Sequence, residues 1–441
     1  MFESIKQAWK TGDLRKKLFY TIVIMVVFRI GSLIPVPFLD VYALKGFMGN
    51  LSDGGALLAY FDTLSGGAFA QATFFAMSVN PYINSSIIMQ LMGVALPSLE
   101  ALQREGEEGR KKINAITRIV TIFLGVTQGF AYYAFLRYHT FGGVPIVKYT
   151  NGFDGVFSAF VIVSVFTAGT ALMMWLGERI NEKGVGNGVS ILMFAGIVSR
   201  MPTLITRIFA YIYLAFEDPA HYWMYFILVP ICLLVFTGMT WLIVFMNDAE
   251  RRIPIQYAKR VVGRKLFDGQ SSHLPLKIGL AGVMPIIFAS SILSVPSMIN
   301  LFTSPTGWVK TFLDAFSVNG IIYTIIYFVL IIMFAYFYVS ISYNPIEISN
   351  NLRQGGGAIP GIRPGKPTTE YLSKILSRIT LMGALFLAFI AIFPMLFGAF
   401  VPMGGLFMSG TSIVILVGVA LETVKLVKSQ MMMRKYKGFL D

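Results

Sequence analysis

The chain has 441 residues, 56% of them hydrophobic and 13% charged, with a mean hydropathy of +0.69. Such a composition excludes a soluble globular enzyme and puts the chain in a bilayer. The formal net charge is +14, and the single cysteine, Cys232, leaves no disulfide framework and no cysteine metal cluster.

At ~20 residues per crossing, ten apolar spans are predicted, at 18–36, 72–97, 115–137, 153–176, 186–206, 221–246, 276–301, 317–343, 372–399 and 404–427. MFESIKQAWKTGDLRKK is a polar, amphipathic start ahead of a full first span, so no cleavable signal peptide is expected. The segment from 60 to 70 follows, too short and too rich in glycine to span. It is expected to be a half-inserted helix folded back into the protein, starting its return at Gly66-Gly67.

The second span is the most informative stretch. LSGGAFAQATFFAMSVNPYINSSIIMQLM, residues 64–92, carries no charge, yet holds Asn80-Pro81-Tyr82 and Asn84-Ser85-Ser86 at its middle. Proline removes a backbone donor and asparagine brings amides that hydrocarbon cannot satisfy. A helix of this kind is tolerable in a membrane only where one face lines a protein or water-filled interior.

Gly125 and Gly129 form a GxxxG in the third span, a pattern of close helix packing. Between the fourth and fifth spans, Gly184 to Gly188 reads GVGNG. It lacks the Lys-Ser/Thr of a nucleotide loop, so it is expected to be a turn that opens the fifth span. A loop near 207–220 then divides ten spans into five and five. Since five is odd, the second half enters from the opposite face, which permits an inverted pair of halves, 1–206 and 221–441.

Two long loops lie in the second half, 247–275 and 344–371. Both are basic and framed by Gly and Pro where turns are needed. Lys and Arg number 29 on the side of the two termini and these loops and 6 on the other, with Arg29 inside the first span completing the 36. Both termini are therefore expected in the cytoplasm. Anchoring explains much of that charge, but not the loops' length or the arginines set far from the spans in RVVGRK and GIRPG. Exposed Arg and Lys there suit docking to an acidic or phosphate-rich partner.

Catalytic signatures are absent: no HExxH, no Walker A run, no GxSx pattern in a span. His139, His221 and His273 have no metal-ligand spacing. No metal, cofactor or enzymatic activity is expected. A solute transporter is the alternative reading, but ion-coupled transporters keep Asp or Glu near the midplane. Here the only charge deep in a span is Arg29, with Glu422 near the inner end of the last.

Four blocks carry a resemblance that covers essentially the whole chain: LSGGAFAQATFFAMSVNPYINSSIIMQL, WLGERINEKGVGNGVSILMFAGIV, RRIPIQYAKR with SSHLPLKIGLAGVMPIIFASSI, and IPGIRPG. They resemble the SecY family, channel subunits of bacterial Sec protein translocases. The resemblance implies an all-α polytopic fold, two inverted five-helix halves forming a clamshell hinged near the loop after the fifth span. Unfolded polypeptide would pass through the centre, and signal sequences and membrane segments would leave sideways into membrane lipid between spans two and seven.

It also implies site residues. The pore ring would be Val79, Ile83, Met193, Ile197, Ile287 and Ile415, departing from an all-Ile/Leu/Val ring at Met193. A short plug helix near 60–71 would include Tyr60, Phe61, Leu64, Ser65, Gly66 and Gly67. Asn84, Ile87, Gln128 and Val295 would lie at the lateral gate. Arg251, Arg252, Lys259, Arg260, Arg264, Lys265 and Arg363 would receive the SecA ATPase or the phosphates of ribosomal RNA. SecE and SecG subunits are the other partners implied, and the bacterial cytoplasmic (inner) membrane the location. A ring of apolar, deformable side chains has its own physical logic: it binds no passing sequence strongly and closes by dewetting when empty.

Overall fold

The computed structural model describes residues 9, 11–51, 62–257, 260–262, 265–267, 271–303, 307–314, 320–400 and 410–437. Of the plug residues expected from the sequence, Tyr60 and Phe61 lie outside these, as do Lys259 and Arg264 among the docking residues.

Helices dominate. In chain order they are α1 Gly12–Gly31, α2 Val41–Leu51, α3 Asn80–Ala95, α4 Pro97–Arg104, α5 Glu107–Tyr138, α6 Gly152–Lys183, α7 Gly188–Ser199, α8 Met201–Glu217 and α9 Pro219–Tyr222. They continue with α10 Met224–Asp248, α11 Met284–Thr303, α12 Trp308–Asp314, α13 Ile321–Ser342, α14 Pro345–Gln354, α15 Lys366–Phe400 and α16 Gly410–Lys437. Among the described residues, seven helices are long and apolar enough to cross a membrane, or eight if the bent pair α3–α4 is one span. Together with α1 and the apolar Met284–Pro296 of α11, this is consistent with ten crossings at the expected places.

Three boundaries differ from expectation. The second span is not helical from 72: residues 65–79 are turns and a bridge, and helix starts only at Asn80. Proline at the first helical turn is the cause, since its missing donor is an orphan there anyway. At its other end Leu96 is extended, and Pro97–Gln103 leaves at 104° to α3. The expected hinge loop 207–220 is helix as far as Glu217, because MPTLITRIFAYIYLAFE has no breaker between Pro202 and Asp218. Helices α7 and α8 thus run on as one element through Arg200.

The loop 247–275 is not simply flexible either. Strand β3 Glu250–Tyr257 pairs antiparallel with β6 Ser271–Lys277, in register from Glu250↔Lys277 to Gln256↔Ser271. On its other edge β3 pairs with β7 Gly357–Ala358, so the two basic loops share one sheet. Alternation explains the strand: Ile253 and Ile255 are buried, whereas Arg252, Pro254 and Gln256 are exposed. Beneath it Ile253, Leu276, Ile359, Leu372 and Leu376 form a core of their own. Within the hairpin, short strands β4 Arg260–Val262 and β5 Lys265–Phe267 pair antiparallel. A two-stranded ribbon, β1 Thr140–Phe141 with β2 Val144–Pro145, caps the end of α5.

The main helix contacts divide into two groups. Helices α1 and α3 to α8 pack among themselves, as do α10 to α16. GxxxG acts as expected in the first group: a Cβ at Gly129 would sit 3.4 Å from Phe166 Cβ of α6, and one at Gly125 3.6 Å from Thr170. GVGNG is the expected turn, with the Asn187 side chain accepting from Val189 N and Ser190 N to cap α7. The groups meet along two seams: α8 on α10 with α7 on α16, and α11 against both α3 and α5.

Candidate functional site

Both seams border one buried apolar cluster, drawn from α1, the turn segment 62–79, α3, α6, α7, α10, α11, α13, α15 and α16. All six expected ring residues belong to it. Val79 caps the start of α3, and Ile83 lies one turn on, its N–H donating to the Val79 carbonyl at 3.0 Å. Met193 and Ile197 stand one turn apart on α7, Ile287 in the first turn of α11, and Ile415 in α16. Each is buried, and the least buried, Ile83, is only 8% exposed. Leu64 of the turn segment, 2% exposed, joins the same cluster.

The turn segment is held by side chains rather than by a regular ladder. Residues 62–64 end a helical turn, and Gly66 and Gly67 follow at φ +69° and +92°, which only glycine adopts without strain. Gly67 N–H donates to the Asp62 carbonyl at 2.8 Å, and Ser65 Oγ accepts from Phe69 N–H at 2.9 Å. The Asp62 carboxylate accepts from Ala70 N–H at 2.8 Å through one oxygen and pairs with the Arg200 guanidinium through the other. Arg29 Nη1 donates to the Gly66 carbonyl at 2.9 Å, with Ser199 Oγ 3.4 Å from the same oxygen. Tyr132, wholly buried on α5, donates its hydroxyl to the Phe69 carbonyl at 2.6 Å.

Of the expected plug helix near 60–71, the described residues are helical over 62–64 and run in tight turns from Ser65, since two glycines at positive φ break any continuation. Arg29 also acquires a place: the charge inside the first span caps a carbonyl of the returning chain. Its position in a span was the sequence signal. Nothing comparable marked Asp62, whose partner Arg200 lies 138 residues away.

At the second seam, Asn84 and Ile87 stand on α3, Gln128 on α5 and Val295 on α11. Ile87 is buried, Asn84 and Gln128 are half-buried, and Val295 is exposed. Among the described contacts neither Asn84 nor Gln128 makes a side-chain hydrogen bond, and the polar tie between α3 and α5 is Ser85 Oγ donating to the Thr117 carbonyl at 2.8 Å.

At the basic sheet, Arg251 and Arg252 project exposed from β3, and Arg260 and Lys265 belong to β4 and β5. Arg363 lies exposed in the neighbouring turn. Gly361 and Gly365 flank it at φ +80° and +106°. Thr368 Oγ donates to the Arg363 carbonyl at 2.9 Å, and Ser349 Oγ to the Gly365 carbonyl at 3.2 Å. The turn is thereby pinned at its base with one guanidinium free to face a partner. Among the described residues no group of His, Cys, Asp and Glu could hold a metal ion.

Comparison with known proteins agrees with this fold. The SecY family model matches residues 73–424. The protein translocase subunit SecY of Streptomyces scabiei is 43% identical over the whole of both chains, and that of Thermotoga maritima 39% identical over 100% of this chain and 98% of its own. Among solved structures, a protein-conducting channel superposes with a TM-score of 0.62 at 17% identity, covering 94% of this chain and 91% of the other. A SecY structure described for a plug domain that stabilises the closed channel and maintains a membrane seal gives 0.61, at 17% identity and the same coverage. Sec61 in the canine ribosome–channel complex gives 0.59, also at 17% identity over 94% and 91%. With the family model matched over most of its length and full-length relatives at this identity, the chain belongs to the SecY family of protein translocase subunits.

Proposed function

We propose that Val79, Ile83, Met193, Ile197, Ile287 and Ile415 form the constriction through which polypeptide passes, and that residues from 62 to 71 close its outer side as the plug. The family is one of protein-conducting channels, not of enzymes, and this chain is a multi-pass membrane member of it. The observation that carries the ring reading is the burial of all six residues, from four separate elements, in one apolar cluster together with Leu64. Such a contact closes without polar partners and opens to any sequence, because no side chain in it recognises another chemically. Met193 adds a deformable member that adapts to whatever passes.

The seam of α11 against α3 and α5 is the lateral exit, by which an apolar signal sequence partitions into lipid. The seam of α8 on α10 is the hinge between the inverted halves 1–206 and 221–441. Arg251, Arg252 and Arg363 on the basic sheet and its turn receive SecA or a ribosome, the latter supported by the ribosome-bound Sec61 channel of similar fold. SecE and SecG complete the assembly in a bacterial cytoplasmic membrane, with both termini on the cytoplasmic side, a reading supported by the charge asymmetry.

The test is reconstitution. Proteoliposomes carrying this chain with SecE and SecG should import a secretory precursor when given SecA and ATP. Ile83→Asn, Ile287→Asn and Ile415→Asn should each wet the constriction and raise resting ion conductance. Precursor import at background level, or unchanged conductance in all three variants, would overturn the reading.

A further inference from the structure

We propose that Asp62 and Arg200 form a releasable clasp that sets how readily the turn segment leaves its seat, and so how strong a signal the channel demands before it opens. The inference rests on the reading of this segment as the plug, and names what holds it.

Asp62 is 5% exposed, and both its oxygens are used. One closes its own turn by accepting from Ala70 N–H, and the other meets Arg200, where α7 passes into α8. The pair therefore joins the mobile element to the continuous helix that reaches the α8–α10 seam. Arg207, one helical stretch further along α8, adds positive charge acting on Asp62. The two partners are unequally covered: the Arg200 side chain is 29% exposed and that of Asp62 only 7%.

That inequality decides the direction of each effect. When the segment withdraws, Arg200 already has access to water, whereas Asp62 must be carried out of its pocket with its charge. Seated, the carboxylate is tolerable only because a cation faces it. Removing the cation strands a buried charge and drives the segment out, while removing the negative charge merely loosens the hold. A neighbouring contact serves the same seat without charge on the acceptor, Arg29 to the Gly66 carbonyl.

Four variants and a deletion test the clasp in proteoliposomes, reading resting ion conductance and import of precursors with weakened signal sequences at matched membrane abundance. Asp62→Asn keeps the bond from Ala70 and loses the charge, and should raise resting conductance about tenfold. Arg200→Gln should raise it further, about a hundredfold. Arg200→Lys retains the charge and should stay near the parent. In the double variant Asp62→Asn, Arg200→Gln, no stranded charge remains, so conductance should fall back to that of Asp62→Asn alone, a non-additivity that general loss of packing does not produce. Import of weak-signal precursors should follow the same order. Deleting residues 62–71 separates the two readings. If the deletion leaks while all the single variants stay tight, the plug reading stands and the clasp falls. A tight membrane with the deletion would overturn both.

Discussion

Two segments without a long apolar helix, one broken by Gly66-Gly67 and the other punctuated by Pro254, Gly263, Gly269 and Pro275, fold by opposite rules. Residues 62–79 have no ladder: discrete side-chain bonds, one ion pair, a few turns and an isolated backbone bridge between Thr73 and Pro35 hold them against an apolar cluster. Residues 250–277 are built on a seven-residue register between β3 and β6, with a private core beneath. Discrete contacts break one at a time, so the first segment can leave its seat without unfolding its surroundings. A ladder over a core breaks cooperatively or not at all, so the second is suited to bear load from outside. Within one chain, the contrast separates a segment held by discrete contacts from one held by a continuous ladder.

The largest expected effect lies in the turn beside the rigid element. Arg363→Glu reverses the charge of an exposed residue whose turn is pinned by Thr368 and Ser349. Membrane abundance should stay normal while ATP-driven import falls to background. Arg363→Lys should be only partly active, since ammonium cannot reproduce the planar fork of donors. Import at the parent rate by Arg363→Glu would reduce the turn to a linker and break the comparison.

A smaller effect is expected at the turn segment. Arg29→Gln removes the donor to the Gly66 carbonyl, but Ser199 Oγ lies 3.4 Å from the same oxygen and retains part of the hold. The net loss is about 1 kcal/mol, about a fivefold rise in resting conductance. A rise larger than that of Asp62→Asn would place the principal hold at Arg29, not in the ion pair.

How far this was legible in the sequence differs by element for physical reasons. The spans and the GVGNG turn were plain, because hydrophobic length and capping chemistry are local. The six expected ring residues, reached by resemblance, all proved buried together. Ile253 and Ile255 carried a period-two signal in RRIPIQY, but the flanking Arg251, Arg252 and Gln256 masked it as a basic loop. The onset of helix at Asn80 was also local, though Pro81 was read as a pore feature rather than as a helix start. Asp62 with Arg200 was invisible, since a pair 138 residues apart leaves no periodicity. Arg29 lay between these cases: its oddity was evident and its partner was not.

The smallest effect sharpens the comparison most. Ile253 is 2% exposed in the core under the hairpin, and its backbone pairs with Leu274. Ile253→Val removes one methylene and costs about 1 kcal/mol, leaving the ladder and every exposed arginine in place. If the hairpin behaves as one cooperative unit, amide exchange along both β3 and β6 should accelerate together, about fivefold. Exchange at Gly67, Phe69 and Ala70 should not change, because no residue of that segment shares the hairpin's core. Import should stay within about twofold of the parent, since a platform that is open for a small fraction of the time is still a platform. Acceleration confined to residues beside Ile253 would mean that the hairpin frays contact by contact, as the outer segment does, and the distinction between the two would be lost.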